Sequence, residues 1–493
     1  MSRDLVIDVN PYQTRVALVA DGVIDELLIE KRGQGRLVGN IYKGKVQNVL
    51  PGMQAAFVDI GLERNAFLYA GDIQIDGSDF IFNGKPTDVK MPVPNIKDMV
   101  KVGQEIIVQL VKEGVGTKGA RITTNITLPL RTLVLMPTVN YVGVSRRIED
   151  DEERTRLKDI LESLKSDNMG AIVRTAGEGK SREEFEKDLE CLTKMWSKIQ
   201  EEAKLRSAPC LLHEEESLVM RTVRDMFTSK IDHLYINDRE YYEKVRTAVS
   251  ISSPTLSDKV VLYDRLPDMF DKFKLETSID DALSRKVWFK NGGYIIIDRT
   301  EALTIIDVNT GKYVGTDNLQ ETITETNCEA AVEIARQLRI RDISGIIIID
   351  FIDMDEVEDK ERVINALKEE LKKDRTKSTV LGITSLGLVE MTRKKTRYCV
   401  DDTLRVPCPY CEGEGRVLSP ETVLMKARKK LRRCFESENM KEYELTLHPD
   451  VAKYMEGDED IVIPRAEGKT VTVKTDPHMH VCDFRVEAVI NKN

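Results

Sequence analysis

YIIIDRTEALTIIDVNTG (294–311) and GIIIIDFIDM (345–354) decide the reading of this chain. Residues 294–298, 303–307 and 345–350 are nearly continuous β-branched runs, and 319–339 repeats its apolar residues at helical spacing. Apolar strands flanking a long helix predict a buried βαβ crossover. With 303–307 and 345–350 as parallel neighbours, Asp307 and Asp350 emerge at the carboxyl ends of their strands, where open α/β sheets place their sites. Two converging carboxylates with Asn309 close by suit Mg²⁺, which keeps much of its water and serves phosphodiester chemistry. The alternative is that each Asp caps the next helix or turn. Asp353 is an outer-shell candidate, and Asp298 a weaker one because Arg299 follows it.

Outward from this unit, residues 358–373 read as a helix, and a basic run, LVEMTRKKTR (388–397), lies where a polyanion would pass. Upstream, 5–9, 14–19 and 23–29 form a small strand meander, and short β-rich runs between 39 and 124, with a polar insertion near 76–97, suggest a small closed barrel. Residues 131–144 read as one strand, 151–165 as a helix and 170–174 as a strand. Residues 181–206 form a long helix with Ser181 as N-cap and Glu184 three residues on. Residues 214–227 read as helical and 231–236 as strand. After Gly415 come one helix and several strands. That helix carries Lys426, Arg428, Lys429, Lys430, Arg432 and Arg433, a cluster equally compatible with a solvated amphipathic face.

The chain has 493 residues, 41% hydrophobic and 32% charged, enough for several globular domains and unlike a disordered or fibrous chain. It shows no membrane-spanning run and no signal core, and its eight cysteines are too sparse for a disulfide scaffold, so a cytosolic address is expected. A net charge of −10 excludes a uniformly basic nucleic-acid coat and makes any such contact local. The five histidines are scattered, no nucleophilic Ser signature appears, and GTKGAR (116–121) and RTAGEGK (174–180) lack P-loop spacing. His-based hydrolysis and nucleotide hydrolysis are therefore disfavoured.

Within the barrel segment, Tyr42, Lys43, Lys45, Phe57, Phe67, Tyr69 and Lys112 mix aromatics with bases, as single-stranded nucleic acid requires, although alternation fits Phe57 to core or platform equally. Arg174 and Thr175 end a strand before a glycine turn, where guanidinium, hydroxyl and backbone N–H groups can gather on one phosphate; an ordinary turn is the alternative. Cys408-Pro-Tyr-Cys411 has the tight turn of half a Zn²⁺ site, with Cys399 the only other nearby cysteine. Closure then needs distant ligands or the same motif from another protomer, which predicts a zinc-linked homodimer; a redox pair is the rival.

Together these residues resemble the ribonuclease E/G family, most of all its compact ribonuclease G branch. The motifs run through the whole chain: GNIYKGKV (39–46), LPGMQAAFVDIG (50–61), GTKGAR, IVRTAGEGK (172–180), IDVNTG (306–311), IARQLRIRDISGIIIIDFIDM (334–354), GLVEMTRKKTR (387–397) and CPYCEGEGR (408–416). The resemblance implies an α/β multidomain fold. Residues 1–36 and 214–278 would form a split ribonuclease H-like region, 37–125 an inserted S1 (OB-type) RNA-binding β-barrel, and 126–213 a 5′-sensor α/β subdomain. A deoxyribonuclease I-like α/β catalytic subdomain at 279–400, a zinc link at 401–415 and a small α+β domain at 416–493 would follow.

The resemblance further implies a Mg²⁺-dependent endoribonuclease that cleaves single-stranded, A/U-rich RNA to 5′-phosphate and 3′-hydroxyl ends, in rRNA processing and mRNA decay. Asp307 and Asp350 would hold the metal, and Asn309 would orient the scissile phosphate or attacking water. Arg174 and Thr175 would bind a 5′-monophosphate, and Phe57, Phe67 and Lys112 would contact the strand. Cys408 and Cys411 would supply half of a Zn²⁺ site shared in a homodimer, leaving open whether dimers pair into tetramers. At the 5′-end pocket the ribonuclease E pattern D-R-x-R-I reads Asp374-Arg375-Thr376-Lys377-Ser378 here, and Lys377 meets phosphate as a point charge and not as a fork. Without the long Arg- and Pro-rich extension of ribonuclease E proteins, no degradosome scaffold or membrane-binding helix is expected. The competing class is a noncatalytic S1-type RNA-binding protein.

Overall fold

The computed structural model describes residues 2–31, 37–73, 95–114, 119–166, 169–312, 319–395, 397–437, 440–455, 462–464 and 466–489. Most of the polar insertion, part of GTKGAR and Thr396 of the basic run lie outside the described residues. The chain divides into two units, 1–403 and 404–493.

In the first unit the opening meander is Arg3–Val9, Gln13–Ala20 and Val23–Lys31, paired antiparallel. Its first strand then accepts a parallel partner from far along the chain, His233–Ile236, in register Leu5 to Leu234, and Val260–Leu262 adds beyond it. This pairing makes the intervening residues an insertion. Phe227 and the strand residues Leu5, Ile7, Val16 and Leu234 fill the core beneath.

Within the insertion, Ile41–Leu50, Ala55–Asp59, Ala66–Tyr69, Glu105–Lys112 and Arg121–Thr123 close into a five-stranded barrel, because Ile41–Leu50 pairs with both Ala55–Asp59 and Glu105–Lys112. Gly44 sits where those strands come close: a Cβ there would stand 2.6 Å from Val58 Cγ1. Tyr42 packs inside with Val46, Val58 and Leu110, so it is core and not an exposed platform.

The stretch 131–144 is not one strand. Pro137 cannot donate to a ladder, so Leu133–Met136 ends before it. The chain returns as Val142–Val144 on the other side of Gly170–Val173. Helices Asp151–Leu164 and Arg182–Leu205 cover this sheet, the second opened by a capping box in which Ser181 and Glu184 satisfy each other's backbone N–H groups. The helix expected over 214–227 is shorter, Leu218–Met226, with Ser217 as its N-cap.

A six-stranded sheet follows, ordered Lys286–Trp288, Tyr294–Arg299, Leu303–Asn309, Gly345–Asp350, Val389–Arg393 and Ser378–Ile383. Its parallel pair, Leu303–Asn309 with Gly345–Asp350, is joined through the helix Leu319–Ile340, the expected crossover. Ile295, Ile306, Ile347 and Ile349 pack with Ala330, Ile334, Val363 and Leu367 on the helix-covered face. The opposite face is open: Ile305 is 40% exposed and Ile346 50%. Runs that read as buried on both faces are thus buried on one.

In the second unit Pro420–Ser437 packs on the sheet Thr470–Thr475, Glu442–Leu447 and Phe484–Ala488. Val423, Ala427, Leu431 and Cys434 face the core while Lys426, Lys429, Lys430, Arg432 and Arg433 are exposed, the pattern of an amphipathic helix.

Candidate active site and nucleic-acid interface

Asp307 and Asp350 are direct register partners across the parallel pair. Directly paired residues point to the same side of a sheet, here the open one. Asn309, two residues on, faces the same way and donates from Nδ2 to Asp307 Oδ2 at 2.8 Å. Neither acid starts a helix, because the helices that follow begin at Leu319 and Val357, the second after Glu356. The Asp350 carboxyl sits above its ordinary range, since partial burial and the carboxylates of Asp307 and Asp353 all oppose its ionisation. A site that crowds like charges in this way is suited to a cation. The donor set fits Mg²⁺, which needs only one or two carboxylates beside substrate phosphate. Among the described residues no group of three or more metal-capable side chains gathers. Asp298 is taken by Arg285, Nε to Oδ1 at 2.5 Å and Nη2 to Oδ2 at 2.6 Å.

Two residues that sequence reasoning missed hold this edge. Asn327, fully buried on the crossover helix, donates to Ile352 O at 2.8 Å and accepts from Ile352 N at 3.1 Å, pinning the loop that follows Asp350. A helical asparagine carries no sequence signal for a partner so distant in the chain. Gly311 takes φ +58°, and a Cβ there would stand 2.4 Å from Gly292 O, so the turn after Asn309 closes only on glycine.

On the barrel, Phe57 pairs with Phe67, Phe67 with Arg121 and Arg121 with Lys112 across successive strands. The row lies outside the core, with both rings half-buried and 5.9 Å apart edge to face, and both cations exposed. Two ring faces followed by two cations form a stripe suited to bases and backbone of a single strand. Arg121 joins it from the GTKGAR motif, anchored on Asp72 at 2.7 and 2.9 Å.

Arg174 and Thr175 line a groove of ≈ 2440 Å³ together with Ser145, Arg147, Arg375 and Lys395. Arg174 donates to Leu130 O at 2.8 Å and pairs with Asp225 at 2.7 Å, and Thr175 Oγ1 lies 3.0 Å from Ser145 Oγ. Burial opposes ionisation of Asp225, yet Arg224 and Arg174 hold its carboxyl below the ordinary range. Lys377 is exposed beside Ser378, the first residue of its strand, and is not among the groove-lining residues; Arg375 is, donating to Asp225 O at 3.1 Å.

The basic run is only partly available to a polyanion. Arg393 is buried, bonded to Asp342 at 2.6 Å and Asp374 at 2.7 Å, and Arg397 pairs with Asp342 at 3.0 Å. Lys394 and Lys395 remain exposed. Arg393 and Arg397 turn towards the two buried aspartates, which demand counter-charge.

In the second unit Cys408 and Cys411 are free thiols on a turn carried by Glu412, Gly413 and Gly415 at positive φ. Gly415 N donates to Cys411 Sγ at 3.2 Å, and backbone N–H groups of Cys411 and Tyr410 draw the Cys408 thiol below its ordinary range. The pair fits half of a tetrahedral thiolate site. Cys399 is committed elsewhere, buried with its thiol donating to Arg341 O at 2.9 Å.

No helix among the described residues is long and apolar enough to cross a membrane. A profile of the ribonuclease E/G family matches residues 127–396, and an S1 RNA binding domain profile matches 37–125, the barrel segment. Ribonuclease G of Haemophilus influenzae is 44% identical over 98% of this chain and 99% of its own length. Ribonuclease G of Escherichia coli is 42% identical over 97% of this chain and 98% of its own. Ribonuclease E of Haemophilus influenzae is 38% identical over 92% of this chain, a match that spans 48% of that longer protein. A family profile covering more than half of the sequence, with end-to-end similarity to these enzymes, leaves one assignment: the chain belongs to the ribonuclease E/G family and is more similar to ribonuclease G than to ribonuclease E.

Proposed function

We propose that this chain, an endoribonuclease by family, hydrolyses single-stranded, A/U-rich RNA at the Asp307–Asp350 edge and leaves 5′-phosphate and 3′-hydroxyl ends. The observation that carries the reading is the direct register of the two acids on the open face beside Asn309. Held by those two carboxylates, Mg²⁺ would supply an activated water and charge stabilisation at the phosphate. Asn309 spends one N–H on Asp307 and has a second suited to a phosphate oxygen. Asn327 fixes the loop after Asp350 and so limits where that carboxylate points. A noncatalytic binder would have no use for this paired edge. Loss of cleavage in Asp307→Asn, with RNA still bound, is the test of the reading.

The stripe of Phe57, Phe67, Arg121 and Lys112 supports contact with an unpaired strand. The split five-stranded sheet and the six-stranded sheet support the ribonuclease H-like and deoxyribonuclease I-like readings of their segments. Arg174 and Thr175, with Arg147 and Arg375 in the same groove and Lys377 beyond it, are suited to a 5′-monophosphate. Wild type should then cleave a 5′-monophosphate oligonucleotide about tenfold faster than its 5′-hydroxyl twin, a charge-assisted contact's worth, and Arg174→Ala should erase the difference. Equal wild-type rates on the two would remove the sensor reading.

Cys408 and Cys411 would hold half of a structural Zn²⁺ shared between two protomers. Cys408→Ser should release the zinc and shift the sedimenting species from dimer towards monomer; a metal-free wild-type dimer would contradict this. Sparse, unpaired cysteines fit a cytosolic enzyme, and the family likeness supports roles in rRNA processing and mRNA decay.

A further inference from the structure

The open face of the catalytic sheet carries more than acids. Along one cross-strand row Trp288 pairs with Tyr294 and Tyr294 with Asn309; along the next, Lys286 pairs with Ile296 and Ile296 with Asp307. All six therefore share the face of Asp350, while Ile295 and Ile297 point into the core. The two rings stand 5.0 Å apart at 58°, and Lys286 Nζ lies 4.0 Å from the Trp288 centroid and 3.4 Å from that of Tyr294. Lys286 thus braces both rings from one side. Trp288 is nevertheless 51% exposed. Large aromatics are ordinarily buried, and edge-strand lysine alone explains protection of the edge but not an indole left open beside a carboxylate pair.

Resting on the active-site reading above, we infer that Trp288, braced by Lys286 and Tyr294, is a stacking platform for one nucleobase of the single-stranded RNA next to the scissile linkage. Along their shared row Trp288 and Asn309 stand two strand spacings apart, about 10 Å, so a phosphate at the acids leaves a neighbouring base within reach of the indole. The ring accepts any base, because every base offers a π face. The cation beside it suits the adjoining phosphate. The platform is separate from the barrel stripe, which lies on a different sheet.

The chain holds two tryptophans, and Trp196 is only 5% exposed in the core beneath the 182–205 helix, so an indole signal on RNA addition reports Trp288. The test is an equilibrium fluorescence titration of the full-length protein with a single-stranded oligoribonucleotide in EDTA. Wild type should show quenching that Trp288→Ala lacks, and that variant should bind about 5- to 100-fold more weakly, the range of one lost stack. Trp288→Tyr should recover most of the affinity. One abasic position within two nucleotides of the cleavage site should cost wild type the same factor and cost Trp288→Ala nothing. Unchanged affinity and no quenching in wild type would overturn the platform, as would a sensitive abasic position far from the cut, or a Trp288→Ala effect on self-association in place of RNA affinity. Quenching and affinity are read without cleavage, and only the position of the cut is mapped beforehand with wild type, so they fail independently of the acid pair, which Asp307→Asn tests by rate.

Discussion

Asp307→Asn and Asp350→Asn should each lower the rate of RNA cleavage by about 10³-fold or more while leaving affinity for single-stranded RNA within about threefold. Each change keeps the side chain's shape and removes one of two carboxylates that face each other across the parallel strands. Asparagine at 307 can still accept from Asn309, so the local hydrogen bond survives and the loss is electrostatic. The phenylalanines and cations on the barrel and the arginines of the groove are untouched, which is why binding persists. Rates under single-turnover conditions, with binding by filter retention or anisotropy, separate the two quantities. Full cleavage by both variants would reject the acid pair as the reacting edge.

The second large effect concerns stability. Arg393→Met should destabilise the first unit by about 3–5 kcal/mol, because removing one member of a buried charge network strands the others without counter-charge. Arg393 is 2% exposed in its side chain and spans Asp342 and Asp374, themselves 5% and 3% exposed. It also donates to Ile343 O at 3.0 Å. Methionine fills much of the same space, so the loss isolates charge from cavity. Adding Asp374→Asn to Arg393→Met should recover part of the stability, since one stranded carboxylate is then neutral. Denaturant unfolding midpoints measure both. The 5′-end preference should fall with the stability, because Asp374 O accepts from Arg147 at 2.7 Å and precedes Arg375, both lining the groove. A change below about 1 kcal/mol would mean the network is hydrated and weak.

The acid pair was legible because β-branched runs that end in Asp, separated by a helical stretch, admit few topologies. The openness of their sheet was not. An all-apolar run carries no alternation to say which face is covered, so Ile305 and Ile346 look like core until the sheet is seen with helices on one side. Tyr42 misleads in the opposite sense, since a short barrel turns alternate residues inward whatever their polarity. Arg393 sits in a basic run and reads as surface charge, yet Asp342 and Asp374, distant in sequence, draw it inside. Arg147 and Arg375 reach the groove from segments far apart in the chain, a convergence that spacing cannot express. Ser181 with Glu184 was readable because a capping box is local chemistry complete within four residues.

The most direct measurement is the initial rate of cleavage of a 5′-labelled single-stranded oligoribonucleotide across a Mg²⁺ titration, with wild type and Asp307→Asn side by side. Two carboxylates holding a divalent ion against the RNA linkage predict a saturable rise with Mg²⁺ in wild type, no cleavage in EDTA, and no rise in the variant at any Mg²⁺ concentration. Wild-type cleavage in EDTA at the Mg²⁺ rate, or a variant that responds to Mg²⁺ as wild type does, would contradict it.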